Sequence, residues 1–368
     1  MEKLIQESNV NNIILHGATN CESSNYGDYI YGEMVYGYLK EKGLNVCFYQ
    51  PSSFFEKNLK DYLKKQSIDK READLIIYIP GGYFGEGHQA RFRDNLVQFI
   101  RFMPLGIWAS YKKIPMVVLG VGAGPNNCSF MNFGIRRICN SSKFVTVRDK
   151  ESYEAVKKLC PKANIIESGD LIITRTLNAT NQSSQIRRIE RVKNNRKVLL
   201  VHYNHSKEAL LKFAECVKEF TAKHREYIVV VASDSILEYE EEYFKEFESK
   251  SGIKCEHFIY ENPSEMTAFL KTIDVVLTCK LHVGVVGCSF GKSVVAVACH
   301  PEKTERFYSQ IGESGRCVSL FDVMPEEICE LLEEFHENGI QIDEQIIIKS
   351  SNTWELLDSV LGEKSDAR

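Results

Sequence analysis

Thr278, Lys280 and His282 bring a hydroxyl, an ammonium and an imidazole into five positions of this chain. They follow a strand-like stretch, Ile273-Asp274-Val275-Val276-Leu277, and precede a small-residue stretch, Val283 to Gly291. That pattern reads as a buried strand ending in polar residues where a helix begins. The first N–H groups of a helix, a cation and an imidazole together suit an anionic ligand and a proton transfer. By type alone, the same residues could equally be strand-end polarity with no ligand.

Other strand ends carry similar chemistry. Arg148-Asp149 follows Lys143 to Val147; the guanidinium is a fork for carboxylate or phosphate, or a partner for Asp149, which can cap the next helix. Two strand ends are rich in glycine: Gly81, Gly82, Gly85 and Gly87 (with His88) after Ala73 to Pro80, and Gly122 and Gly124 after Pro115 to Gly120. Glycine lets backbone N–H groups approach a ligand closely, and it also makes tight turns. The loop Asn25-Tyr26-Gly27-Asp28 caps a helix over 29–42, with or without a ligand contact. It is not a G-x-G-x-x-G fingerprint, so it offers no dinucleotide site. Lys303 lies beyond the strand Lys292 to Ala298.

Apolar runs alternate with helical patterns along the whole chain. This predicts an α/β protein with two Rossmann-like, doubly wound parallel-sheet domains. The expected division is residues 1–180, a polar linker over 181–196, residues 197–350, and a C-terminal helix and tail over 351–368. Residues 54–73 read as a charged helix and 89–111 as a helix interrupted at Pro104 and Gly106. In such sheets ligands bind outside the carboxyl ends of the strands, and the candidates share that placement. A cleft between the two domains is the expected site.

Composition narrows the function. The chain has 368 residues, is 43% hydrophobic and 26% charged, and carries a formal net charge of −4. Nucleic-acid binding is not indicated. No apolar run is long enough to span a bilayer, and no export signal is visible, so a cytoplasmic protein is expected. The twelve cysteines are scattered without a C-x-x-C pair, which reads as reduced thiols in apolar cores. No ligand cluster in the sequence calls for a metal.

From Asn12 to about Leu320 the chain resembles the polysaccharide pyruvyl transferase family. The matching pieces stand in the family's order: Asn25-Tyr26-Gly27-Asp28, Asp74 with Gly81-Gly82, Gly120-Val121-Gly122-Ala123-Gly124-Pro125, Val147-Arg148-Asp149 with Ser152, Asp170, and Lys280-Leu281-His282 with Lys303 downstream. At the last piece the family usually has Arg-x-His, so Lys280 is a departure that keeps the charge and loses the bidentate fork.

The resemblance implies a GT-B arrangement and transfer of pyruvate from phosphoenolpyruvate to a hexose or N-acetylhexosamine of a cell-surface glycan precursor. A ketal forms and phosphate leaves. No cofactor is implied beyond the donor. Arg148, Lys280, Lys303, Gly81, Gly82, Gly122 and Gly124 would bind the donor, and Asn25 and Asp28 the acceptor. His282 would be the catalytic acid or base. A lipid-linked acceptor would bring the enzyme into peripheral contact with the inner face of the membrane. Two other readings compete: a GT-B glycosyltransferase using a nucleotide sugar, and a glycan-binding relative without turnover.

Overall fold

The computed structural model describes residues 10–21, 24–59, 68–86, 91–180, 183–203 and 206–362. Gly87 and His88 of the first glycine-rich stretch lie outside them. The described residues divide into two units, each built on its own parallel sheet.

The first unit holds residues 10–21, 28–174 and 347–362. Its strands are β1 (Asn12–His16), β2 (Asn45–Phe48), β3 (Leu75–Tyr78), β4 (Gly81–Phe84), β5 (Met116–Ala123), β6 (Ser142–Val147) and β7 (Ile165–Glu167). They run in the order β2-β1-β3-β5-β6-β7, with β4 also on β5, and every pairing is parallel. All four residues of β3 and all eight of β5 are buried, as expected for a sheet covered on both faces. Ile76, Val118 and Val145 pack there with Ile135 and Ile138 of a flanking helix and with Met103, the residue between two others.

Two expectations change here. Gly81–Phe84 is a strand, not a loop: β3 and β4 are successive stretches along β5, with Ile76 opposite Met116 and Gly81 opposite Val121. The interruption falls at Ile79-Pro80, where proline lacks a ladder N–H. The helix expected over 54–73 is short, Ser53–Asn58, and 60–67 lie outside the described residues. Pro104 does divide the next helical region, standing at the first position of a second helix, Pro104–Lys112.

The helix Glu344–Leu361 brings residues 347–361 back onto the first unit. Trp354 packs at a tilt on Tyr38 with ring centroids 4.3 Å apart and donates from Nε1 to Thr174 Oγ1 at 2.8 Å. Among the described residues no helix is long and apolar enough to cross a membrane.

The second unit holds Ser24–Gly27 and Arg175–Ile346. Its strands are β8 (Lys197–His202), β9 (Tyr227–Ala232), β10 (Glu256–Phe258), β11 (Val275–Thr278), β12 (Ser293–Ala298) and β13 (Cys317–Ser319), all parallel in the order β10-β9-β8-β11-β12-β13. This is the Rossmann order, in which direction along the sheet reverses between the first and fourth strands. Here that reversal lies between β8 and β11, with His202 paired to Thr278.

The stretch expected as a polar linker contains a helix, Ser184–Lys193, capped by Ser183 Oγ, which accepts from Ile186 N at 3.2 Å. Ile186 and Ile189 are buried, while the arginines and lysine hide that apolar stripe in the linear sequence.

Candidate functional site

In the second unit, β8, β9 and β11 all end near the strand-order reversal, and each delivers one polar side chain. His202 is the last residue of β8 and is fully buried; Asp234 follows β9 at 2% exposure; Thr278 ends β11. His202 Nδ1 is 2.8 Å from Thr278 Oγ1, and its Nε2 is 3.6 Å from Asp234 Oδ1. Thr278 Oγ1 also accepts from Lys280 N at 3.1 Å, which holds the turn between strand and helix.

Lys280 is the N-cap of the helix Leu281–Ser289. A lysine side chain offers no acceptor to the first N–H groups of a helix, so this end combines a cation with the positive end of the dipole. His282 lies in the first turn.

Asp234 ties these groups together. Burial alone would push its carboxyl up, but the neighbouring His202 imidazole, with the charges of Lys280 and His282, holds it below the usual carboxylate range. The result is a buried carboxylate among three basic side chains.

The Asn25–Gly27 loop belongs to the same unit and packs on the same group. Tyr26 N donates to Asp234 O at 3.0 Å, and Tyr26 Oη is 2.7 Å from Thr267 Oγ1. Asn25 Oδ1 accepts from Gly27 N at 2.9 Å, a local turn. A Cβ on Gly27 would stand 1.8 Å from His282 Nδ1, so only glycine admits the imidazole in this position. Lys303 lies in the first turn of the helix Pro301–Gln310, which follows β12.

The first unit groups the remaining candidates differently. Arg148 follows β6, is 9% exposed, and bonds Asp149 Oδ2 through Nε at 3.4 Å. Asp149 Oδ1 caps the helix Lys150–Leu159 by accepting from Ser152 N at 2.7 Å. The guanidinium lies against Gly122, where a Cβ would come within 2.9 Å of it. Tyr31 Oη donates to Asp170 Oδ2 at 2.6 Å and also lies within reach of Arg148. Burial pushes the Asp170 carboxyl up, against the pull of Tyr31, Ile172 N and Arg148. Arg148 is therefore engaged by acidic and phenolic groups of its own unit.

Asp28 is half-buried in the first turn of the helix Tyr26–Glu41. Gly81 is buried in β4, and Gly82 is exposed beside it. Gly124 has φ +81°, and the backbone of Gly124 would lie 2.5 Å from a Cβ on Gly85. The second glycine-rich end thus includes a left-handed turn and a close approach of two backbone segments.

The structure joins Asn25, Gly27, Lys280 and His282 through Asp234 and Tyr26. It adds two residues that residue typing passed over, His202 and Asp234. Their signal was positional: each ends, or closely follows, a buried run, Val198 to Val201 and Tyr227 to Ala232.

Solved structures share this fold. A UDP-N-acetylglucosamine 2-epimerase from Neisseria meningitidis bound to UDP-GlcNAc superposes with a TM-score of 0.59 at 14% identity, covering 95% of this chain and 99% of that one. A putative enzyme of the same name from Listeria monocytogenes gives 0.59 at 12%, covering 96% of each. The epimerase of Methanocaldococcus jannaschii gives 0.58 at 12%, covering 95% and 99%. At these identities the likeness is one of fold, and it agrees with two Rossmann-like parallel-sheet domains. No curated protein matches the chain. The sequence profile of one family, described as polysaccharide pyruvyl transferase, matches residues 25–301, from the turn that receives His282 to the helix start beyond β12. The chain therefore belongs to the polysaccharide pyruvyl transferase family.

Proposed function

We propose that this protein transfers pyruvate from phosphoenolpyruvate to two hydroxyls of a hexose or N-acetylhexosamine in a glycan precursor, forming a cyclic ketal and releasing phosphate. The observation that carries this reading is the meeting of Lys280, His282 and ionised Asp234 at the strand-order reversal of the second sheet, in a chain of this family.

Phosphoenolpyruvate is a small polyanion. Lys280 and the first N–H groups of the helix Leu281–Ser289 suit its phosphate. Arg148 is the weaker choice, since Asp149 and Asp170 offset its charge within the first unit. His282 gives a proton to the methylene carbon, which makes C2 electrophilic. One acceptor hydroxyl adds to C2; phosphate then departs, and the second hydroxyl closes the ring, one hydroxyl proton restoring His282 and the other leaving with the phosphate. Any proton moving through His282 passes through an imidazolium, which the neighbouring Asp234 carboxylate stabilises. His202 and Thr278 hold Asp234 and the strand end in place without touching substrate in this scheme.

The test is phosphate release from phosphoenolpyruvate over a panel of sugar and lipid-linked acceptors, with His282→Ala in parallel. Acceptor-dependent release, lost in the variant, with a product carrying a pyruvate ketal, is the expected result. Calorimetry that finds no phosphoenolpyruvate binding, together with no release on any acceptor, would overturn it.

A further inference from the structure

At the opposite end of the second sheet's strands, His224 meets Glu333, 109 residues further along the chain, and its near neighbour His336. His224, Glu333 and His336 can each direct one ligand atom to within 4.8 Å of the other two. Tyr227 beside them begins β9, whereas Asp234 follows its end. The six-residue strand between them spans about 20 Å. The cluster is thus separate from the group around His282.

Two helices build it. His224 is the C-cap of Lys207–Lys223, and His336 is the C-cap of Pro325–Phe335, the helix that also carries Glu333. Both helices point their carbonyl ends at the cluster, and the negative end of a helix dipole favours a cation.

The imidazoles are also held in orientation. Phe220 stacks on His224 at 4.5 Å and meets His336 edge-on at 5.4 Å, and the two imidazoles are 4.5 Å apart. Each has a partner on the ring nitrogen facing away from the cluster. His224 Nδ1 is 3.2 Å from Glu226 Oε1. His336 Nδ1 is 3.0 Å from Tyr227 Oη, which donates its own proton to His336 O at 3.3 Å. A carboxylate or an oxygen acceptor on one nitrogen directs the lone pair of the other toward a metal.

We propose that His224 Nε2, Glu333 Oε2 and His336 Nε2 form a binding site for a divalent transition metal, with Zn2+ the best match to two imidazoles and one carboxylate. A fourth position would be left for water. Lys223 Nζ stays on the other carboxylate oxygen, 3.4 Å from Glu333 Oε1. His224 Nε2 and Glu333 Oε2 are 2.6 Å apart, bridged by one proton in a hydrogen bond. Tetrahedral bonds of about 2.1 Å to one ion place two ligand atoms about 3.4 Å apart, so these two must separate by roughly 0.8 Å. Metal would replace that proton and tie the ends of the two helices.

Calorimetric titration of the full chain with Zn2+ tests the site without reference to catalysis. One ion per chain is expected, with affinity at least 100-fold weaker in His336→Ala and Glu333→Gln and about tenfold weaker in Tyr227→Phe. Thermal unfolding of the wild type should shift upward with Zn2+. Co2+ in its place should show visible bands without a near-ultraviolet thiolate band, which holds even if a variant fails to fold. No binding to the wild type, undiminished binding in folded variants, or a thiolate band assigning the metal to cysteine would each overturn the proposal.

Discussion

Gly27 and His282 are in contact, backbone to ring: a methyl group on Gly27 would sit 1.8 Å from His282 Nδ1. The backbone of Tyr26 is in turn held by Asp234 O. The first turn of the helix Tyr26–Glu41 therefore sets where the imidazole can stand.

Gly27→Ala must push His282 out of place. Activity should fall at least 100-fold while far-ultraviolet dichroism stays unchanged. The double variant with His282→Ala should be no worse than His282→Ala alone. Additive losses would mean the glycine acts by another route.

Asp234→Asn removes the carboxylate from its three basic neighbours. kcat should fall about 10- to 100-fold, and the pH–rate profile should change shape as well as height. Stability supplies a second readout. The folded carboxyl lies below its usual value, so its contribution is full above about pH 4 and is lost as pH falls toward the folded pKa. The gap in urea stability between wild type and variant should narrow on acidification below pH 4. A gap independent of pH would remove the ionised Asp234 from the account.

Lys280→Arg restores the residue usual in the family. If Lys280 holds the donor, KM for phosphoenolpyruvate should drop severalfold with kcat nearly unchanged, because a guanidinium can bind two oxygens at once. An unmoved KM would place Lys280 away from the donor.

Glu33, half-buried in the helix Tyr26–Glu41, is pushed by burial up to about 7. A carboxyl raised in the folded state contributes its full stability below about pH 4.5 and loses it as pH rises through 7. Glu33→Gln should therefore gain on the wild type between pH 5 and pH 8, by roughly 2 kcal/mol. Equal urea midpoint differences at both pH values would show that Glu33 ionises normally.

Much of the fold could be read from the chain because buried parallel strands are nearly continuous apolar runs, as in Met116–Ala123 and Tyr227–Ala232. Strand partners could not be read, since pairing joins residues far apart. Gly81–Phe84 looked like a loop because glycines carry no hydrophobic signal, yet β5 takes them as a strand. Ser184–Lys193 looked like linker because two buried isoleucines are outnumbered by charges. The Lys-x-His pair was visible as a local pattern. Asp234 was not, because its importance comes from neighbours supplied by β8 and the turn after β11. His224, Glu333 and His336 escaped notice for the same reason, being brought together by two helices.

Tyr26 and Thr267 are separated by 241 residues of chain. At ordinary synthesis rates of 5–20 residues per second, roughly ten to fifty seconds pass between the emergence of one and the other. For that interval the turn carrying Gly27 exists without the helix and strand end that receive it. The candidate site thus cannot form on the ribosome until β11 and the helix after it have emerged, and a chain stopped before β11 would lack it altogether.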